Sequence, residues 1–254
     1  MTAPRVYQTE AIIIKRIKLG EADRILTLYT PGLGKLKAVA KGTRRPKSKL
    51  GGHVELLTHS MLMLARGRNL DIITQAQTID NFLPLKDDLE HISHGLYISE
   101  LVDSFTADHI ENRRLFDLLL DTLHQLSQAR DGDLILRYFE LHFLDHIGYR
   151  PQLQRCANCS SALQPAVNFF SSSQGGVLCH DCSYQEPIVR PLSLNALKVL
   201  RLWQNCDYVT AGRIKINHEL SSELKYVMRE YIKYLLERQL KSTAWLDRLK
   251  QETV

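Results

Sequence analysis

Four cysteines stand in two close pairs, Cys156-Ala-Asn-Cys159 and Cys179-His-Asp-Cys182, with 19 residues between the pairs. Each CxxC forms a tight turn that points two thiolates at one place, and two such turns at this separation suit one tetrahedral ion, as in a zinc ribbon or knuckle. Four thiolates fill the shell and leave no position for water, so the site implied is structural, with one Zn2+ per chain. His180 is the alternative fourth ligand. A redox role would need a thioredoxin-like βαβ context, which the sequence lacks. Cys206 stands apart as a fifth, spare cysteine.

The second cluster is cationic. The stretch "AKGTRRPKSKLGGH", residues 40 to 53, carries Lys41, Arg44, Arg45, Lys47 and Lys49, broken only by Gly42, Thr43, Pro46 and Ser48, and then Gly51 and Gly52. It has no apolar face to bury. Together with Lys35 and Lys37 before it and Arg66 and Arg68 after it, it would line a groove that attracts phosphates, and the paired glycines would admit a backbone closely. The alternative is a solvated loop that is basic for solubility. Single sign, flanking cations and a barrel setting favour binding. Residues 1 to 80 hold only two aromatics, Tyr7 and Tyr29, so stacking is thin and binding should be electrostatic and salt-dependent.

Other combinations fail on inspection. His53-Val-Glu55 with CxxC lacks the proline and the spacing of a zinc deaminase. His142 and His146 are spaced as in H-E-x-x-H, but Phe143 takes the place of the glutamate. "GLGKLK" lacks Walker spacing, and no dinucleotide or serine-hydrolase motif is present. The expectation is a protein that is not an enzyme.

These residues need elements to hold them. From Tyr7 to about Asp80, "TEAIIIKRIKL", "RILTLYT", "GKLKAVAKG", "HVELLTHSMLMLA" and "LDIITQAQTI" read as five short strands. Their number and spacing predict a five-stranded OB-type barrel, with an SH3-like barrel as the alternative. After Pro84 the period changes to that of helices: Ile98, Leu101, Val102 and Phe105 on one, Leu115, Leu118, Leu119, Leu123 and Leu126 on the next, and "DLILRYFELHFLDHIG" as a central helix ended by Gly148 and Pro151. Ser193 caps "LNALKVLRLWQN", and Leu224, Val227, Met228, Tyr231 and Leu235 form one helix face. The fold class expected is therefore α+β and multidomain: an OB-type barrel over residues 1–80, then an α-helical bundle over 81–254 with the zinc-ribbon or knuckle insert at about 151–190.

Charge follows the same division. Residues 1 to 80 hold 14 Lys+Arg against 6 Asp+Glu, residues 81 to 150 hold 6 against 13, and residues 151 to 254 hold 13 against 9. A basic block beside an acidic one suggests a polyanion-binding module joined to one of different purpose. The apolar runs are far shorter than the roughly 20 residues of a membrane span, and "MTAPRVYQTE" lacks a signal-peptide pattern, so a cytoplasmic protein with reduced thiols is expected.

"AKGTRRPKSKLGG" with "RGRNLDIITQAQTID" resembles the N-terminal domain of the RecO family of bacterial DNA repair proteins, and "GYRPQLQRCANC" with "CHDC" resembles its zinc-bearing segment. The resemblance runs from about Tyr7 to the C-terminal helices. It implies an OB-fold domain, a helical domain and a zinc insert held by Cys156, Cys159, Cys179 and Cys182, with the basic positions named above as the DNA-binding surface. It implies a recombination mediator of the RecF-type pathway. Such a protein binds single- and double-stranded DNA, anneals complementary strands, and with RecR helps load RecA on DNA coated by single-stranded DNA-binding protein (SSB). It acts in the bacterial cytosol at the nucleoid. The family contacts the acidic C-terminal tail of SSB through its helical domain; in this chain residues 81 to 150 are acidic overall, with only Arg113, Arg114, Arg130 and Arg137 offering cations there, and the resemblance assigns no SSB-contacting residues. Two other readings remain open: an RNA- or ribosome-associated zinc-containing binding protein, and a zinc-dependent nucleic-acid enzyme.

Overall fold

The computed structural model describes residues 5–128, 132–237, 240–243 and 246, and divides into two compact units, residues 1–130 with 240–254, and residues 131–239. In the first unit, strands β1 (Val6–Leu19), β2 (Asp23–Thr30), β3 (Gly34–Ala40), β4 (His59–Ala65) and β5 (Asp71–Asp80) form one sheet. β2 lies antiparallel between β1 and β3, β4 lies antiparallel between β1 and β5, and β5 runs parallel to β3. The sheet thereby closes on itself in the order β1-β2-β3-β5-β4. Its seam is short, with Ala38 opposite Asp71 and Val39 opposite Ile72.

Alternation sends Ala11, Ile13, Leu26, Leu28, Leu36, Ala38, Leu62, Leu64 and Ile73 to the interior. The run Ala11–Ile14 is buried throughout because β1 is covered on both sides, and a register shift between Ile13 and Lys15 re-phases the strand. The fourth strand begins at His59, six residues later than the pattern from His53 suggests. Residues Gly51–Val54 instead make a 3-10 turn that delivers Val54 into the barrel core, and Leu57 takes φ 55°, which ends any extended run there.

Helices α1 (Leu83–Asp87), α2 (Leu89–Phe105) and α3 (Arg113–Gln128) follow. Asp88 caps α2 by accepting from the His91 N–H at 2.8 Å. α2 packs on β1 and α3 on β2, so Ile12, Ile14, Thr27 and Tyr29 are buried although they lie outside the barrel core. The α2–α3 connection lies against the start of β3, where the His109 N–H donates to the Lys35 carbonyl at 2.7 Å. Gly34 permits this approach: it sits at φ +61°, and a Cβ there would lie 2.0 Å from the Ile110 carbonyl oxygen. Gly34→Ala is expected to cost about 2–4 kcal/mol, left-handed strain and overpacking together, read as a fall in the thermal midpoint. The chain returns to this unit at its far end, with Leu240 buried and the N–H groups of Lys241 and Ser242 donating to the Glu100 carboxylate at 3.0 and 2.8 Å.

The second unit opens with α4 (Gly132–His146), buried on most faces and carrying a buried Arg137–Glu140 pair at 2.7 Å. Gly148, at φ +86°, ends it in the manner expected of a C′ glycine. The insert contains β6 (Asn168–Ser171), β7 (Gly176–Leu178), the short helix α5 (His180–Ser183) and β8 (Arg190–Leu192), with sheet order β7-β6-β8. Then come α6 (Leu194–Trp203), α7 (Tyr208–Gly212) and α8 (His218–Leu236). Ser193 Oγ accepts from the Ala196 N–H at 3.1 Å, and Glu223 on α8 accepts from both the Ser193 N–H and its hydroxyl, which ties the start of α6 to α8. Leu224, Val227, Met228 and Tyr231 form the buried face of α8. No helix among the described residues is long and apolar enough to cross a membrane.

Candidate nucleic-acid interface and metal centre

In the second unit the four cysteine sulfurs converge within 4.8 Å of one another. The first pair lies on a turn in which the Ser160 N–H donates to the Cys156 carbonyl at 3.0 Å, with Ser160 at φ 60°. Cys182 lies in the first turn of α5, where Cys179 is the residue before the helix. Both turns are anchored. The Ala157 N–H donates to the Val177 carbonyl at 2.8 Å, and Gly176 pairs closely with Gln152, where a Cβ would meet the Gln152 carbonyl at 2.5 Å. From α6, Arg201 Nε donates to the Leu153 carbonyl at 2.7 Å and Gln204 Nε2 to the Pro151 carbonyl at 2.9 Å. Cys156, Leu178 and Cys182 form a small core with Ala157, Leu163, Cys179 and Val189 around it.

The donor set fits a tetrahedral ion. A metal–sulfur bond of about 2.3 Å places thiolates about 3.8 Å apart, and Cys159 Sγ and Cys179 Sγ are 3.7 Å apart. Burial opposes ionisation of Cys156, but N–H groups of Cys159, Cys179 and Asn158 outweigh it and hold the thiol below its ordinary value. The Ser161 hydroxyl and N–H lower Cys159 to about 6. Cys182 is pushed up to about 12 by its hydrogen bonds to Cys159 and Cys179. Four sulfurs at this distance do not all ionise unless a cation sits among them, so the cluster could hold a metal ion. His180 is turned to Tyr184, with Nε2 at 3.1 Å from the phenol, and is not part of the cluster.

In the first unit the basic stretch is a built loop. The residues that interrupt its charges are its skeleton. The Gly42 N–H donates to the Asp23 carboxylate at 2.7 Å with Gly42 at φ +66°, Thr43 is buried with its hydroxyl on the Ala40 carbonyl, and Ser48 Oγ accepts from the Leu50 and Gly51 N–H groups. Arg44 N–H donates to the Ala22 carbonyl, and its guanidinium to the Gly20 carbonyl at 3.1 Å. Lys41, Arg44, Arg45, Lys47 and Lys49 are all exposed.

Two of the cations expected beside the loop are engaged elsewhere. Lys35 is buried, its ammonium donating to the Asp103 carbonyl at 2.6 Å with the Asp103 and Asp108 carboxylates at 3.5 and 3.6 Å; it is a clamp on the end of α2 and cannot reach a phosphate. Lys37 is half exposed and faces Asp108 at 3.3 Å. Arg66 and Arg68 are exposed, Arg66 stacking over the Tyr7 ring at 5.0 Å. Residue 58 precedes the start of β4 and residue 66 follows its end, about 20 Å along the strand, whereas the basic loop begins beside the start of β5, after Ala40, two residues beyond the Ala38–Asp71 pair. Among the cations of the helical region, Arg113 pairs with Asp117 at 3.0 Å, Arg137 is buried on Glu140, Arg114 is exposed, and Arg130 lies outside the described residues.

The decoys are accounted for locally. His53 Nδ1 bonds the Thr78 hydroxyl at 2.8 Å, Glu55 pairs with Arg16 and with Arg24, and His142 Nε2 bonds the Trp203 carbonyl at 2.8 Å. Sequence reasoning missed the uncharged outer surface of β4 and β5, where Met61, Met63, Gln75 and Gln77 line a groove that Lys49 borders. Alternation of these residues with the buried Leu62 and Leu64 and the partly buried Ala76 was the available signal.

The family description "Recombination protein O N terminal" matches residues 1–82, and "Recombination protein O C terminal" matches residues 86–244. The chain is 47% identical to the DNA repair protein RecO of Roseiflexus sp. (strain RS-1), over 97% of this chain and 87% of that protein. It is 43% identical to the protein of the same name from Dehalococcoides mccartyi (strain ATCC BAA-2266 / KCTC 15142 / 195), over 98% of each, and 31% identical to that of Halalkalibacterium halodurans, over 96% of this chain and 95% of the relative. On these matches along nearly its whole length, the chain belongs to the RecO family of DNA repair and recombination proteins.

Proposed function

We propose that this protein is a recombination mediator that binds DNA through the loop of residues 41–49 and promotes pairing of complementary strands. The observation that carries the reading is the loop itself: five exposed cations on a backbone fixed by Gly42, Thr43 and Ser48, at one end of a small barrel. The ring order β1-β2-β3-β5-β4 supports an OB-type assignment, a barrel that commonly carries oligonucleotides. Cations that neutralise phosphates without gripping base edges lower the repulsion between two strands and leave Watson–Crick pairing to supply specificity. The step consumes no nucleotide and needs no catalytic group, so the protein acts without being an enzyme.

The reading includes single- and double-stranded DNA as ligands, RecR and the SSB tail as partners, and RecA loading on SSB-coated DNA as the outcome, in the bacterial cytoplasm. It includes one structural Zn2+ on Cys156, Cys159, Cys179 and Cys182, supported by the 3.7 Å sulfur separation and the all-thiolate donor set. The test is duplex formation between complementary single strands already coated with SSB. Addition of the folded protein is expected to accelerate annealing at least about tenfold, an effect of about 1.4 kcal/mol on the barrier. No acceleration, or tighter binding of a structured RNA than of single-stranded DNA at matched salt, overturns it.

A further inference from the structure

Small barrels of this order take oligonucleotides across strands two and three. In this chain that face is occupied by its own helices. Lys15, Thr27 and Lys37 make one cross-strand row on the outside of β1, β2 and β3, and Tyr29 and Lys35 lie in the next. Thr27, Tyr29 and Lys35 are buried. Asp103 and Asp108 stand against the lysines at 2.6 to 3.6 Å. Carboxylates match the cations of this face, and α2 and α3 pack over its centre.

The outer face of β1, β4 and β5 is different. Gln8, Met63 and Gln75 form one uncharged row, and Glu10, Met61 and Gln77 the next, along a groove that Met61, Met63, Gln75 and Gln77 line and Lys49 borders. Glu10, at the margin, is turned to His59 Nε2 at 3.1 Å. β5 leaves β3 after Ile72, and the end of the basic loop fills in beside it through the His53–Thr78 bond. Lys49 of the basic loop borders the groove, and Arg66 and Arg68 follow the end of β4, the strand that carries Met61 and Met63. Thioethers make favourable contacts with aromatic ring systems, and side-chain amides offer donors and acceptors without charge. Such a floor suits bases rather than phosphates.

Resting on the DNA-binding reading above, we propose that single-stranded nucleic acid runs along the β1–β4–β5 face, phosphates on the 41–49 loop and on Arg66 and Arg68, bases against Met61, Met63, Gln75 and Gln77. The test compares binding of a fluorescent oligo-dT by the full chain and by two variants. The double variant Gln75→Glu, Gln77→Glu keeps size and adds two negative charges on the floor; affinity is expected to fall about 10- to 30-fold at 0.1 M salt. Lys37→Gln, on the helix-covered side, is expected to change it less than about twofold. A photoreactive residue at position 75 is expected to cross-link to the oligonucleotide, and one at position 37 is not. Unchanged affinity of the double variant, or cross-linking at 37 and not at 75, overturns the path. Failure of the reading beneath it would look different: the parent chain would not bind oligo-dT, or would bind it equally well without the loop cations.

Discussion

Replacing Arg44, Arg45, Lys47 and Lys49 together with alanine is expected to weaken binding of single-stranded DNA by roughly 10²- to 10³-fold at 0.1 M salt. Each phosphate neutralised contributes about −0.7 to the log–log salt slope on a single strand, and the size of the loss follows from removing four such contacts. The parent, contacting about five to seven phosphates, should show a slope of roughly −3.5 to −5, and the variant a slope shallower by about 2.8. All four side chains are exposed and the loop's skeleton of Gly42, Thr43 and Ser48 is untouched. The fold should therefore survive, with the Arg44 bond to the Gly20 carbonyl the one described tertiary hydrogen bond lost from these side chains. Fluorescence anisotropy across a salt series reads both quantities. A near-flat parent slope would remove the loop from the interface.

Removal of the zinc ion proposed for the cysteine cluster is the second large effect expected. Structural zinc in small thiolate sites contributes on the order of 10 kcal/mol to folding, comparable with the whole stability of a domain. The core that the cysteines share, with Leu178, Ala157, Leu163 and Val189, is too small to replace that contribution. Cys156→Ser, or a strong chelator, is expected to unfold residues 151–190. Hydrogen exchange should show amides such as Ala157 and Val177 losing protection, while barrel amides in β1 and β2 keep theirs. One equivalent of zinc released per chain, scored colorimetrically, should accompany the change. Retained protection after complete removal of the metal would mean that the insert stands without it.

What was legible in the sequence was local. Two CxxC turns announce their geometry within four residues each, and the four sulfurs do converge. The strand and helix periods were equally readable, since Leu62, Leu64 and the α8 face depend on near neighbours. The fates of Lys35 and Lys37 were not, because their partners Asp103 and Asp108 lie about 70 residues away and belong to a different pattern. Val54 misled for a related reason: an apolar residue that plugs a barrel end reads as one more strand position. Gln75 and Gln77 were passed over because they carry no charge, although their uncharged state is what distinguishes their face.

The return of the chain at Leu240, with Lys241 and Ser242 seated on Glu100, bears on biosynthesis. A ribosome emits the barrel and its three helices before residues 131–239, and the segment that completes this unit only after them. Everything from residue 131 to 239 must be made before the Glu100 carboxylate meets its backbone partners. The N-terminal unit therefore waits, incompletely sealed, while residues 131–239 are made, and a nascent chain stalled before residue 240 would display an unfilled seat on α2 to whatever holds it.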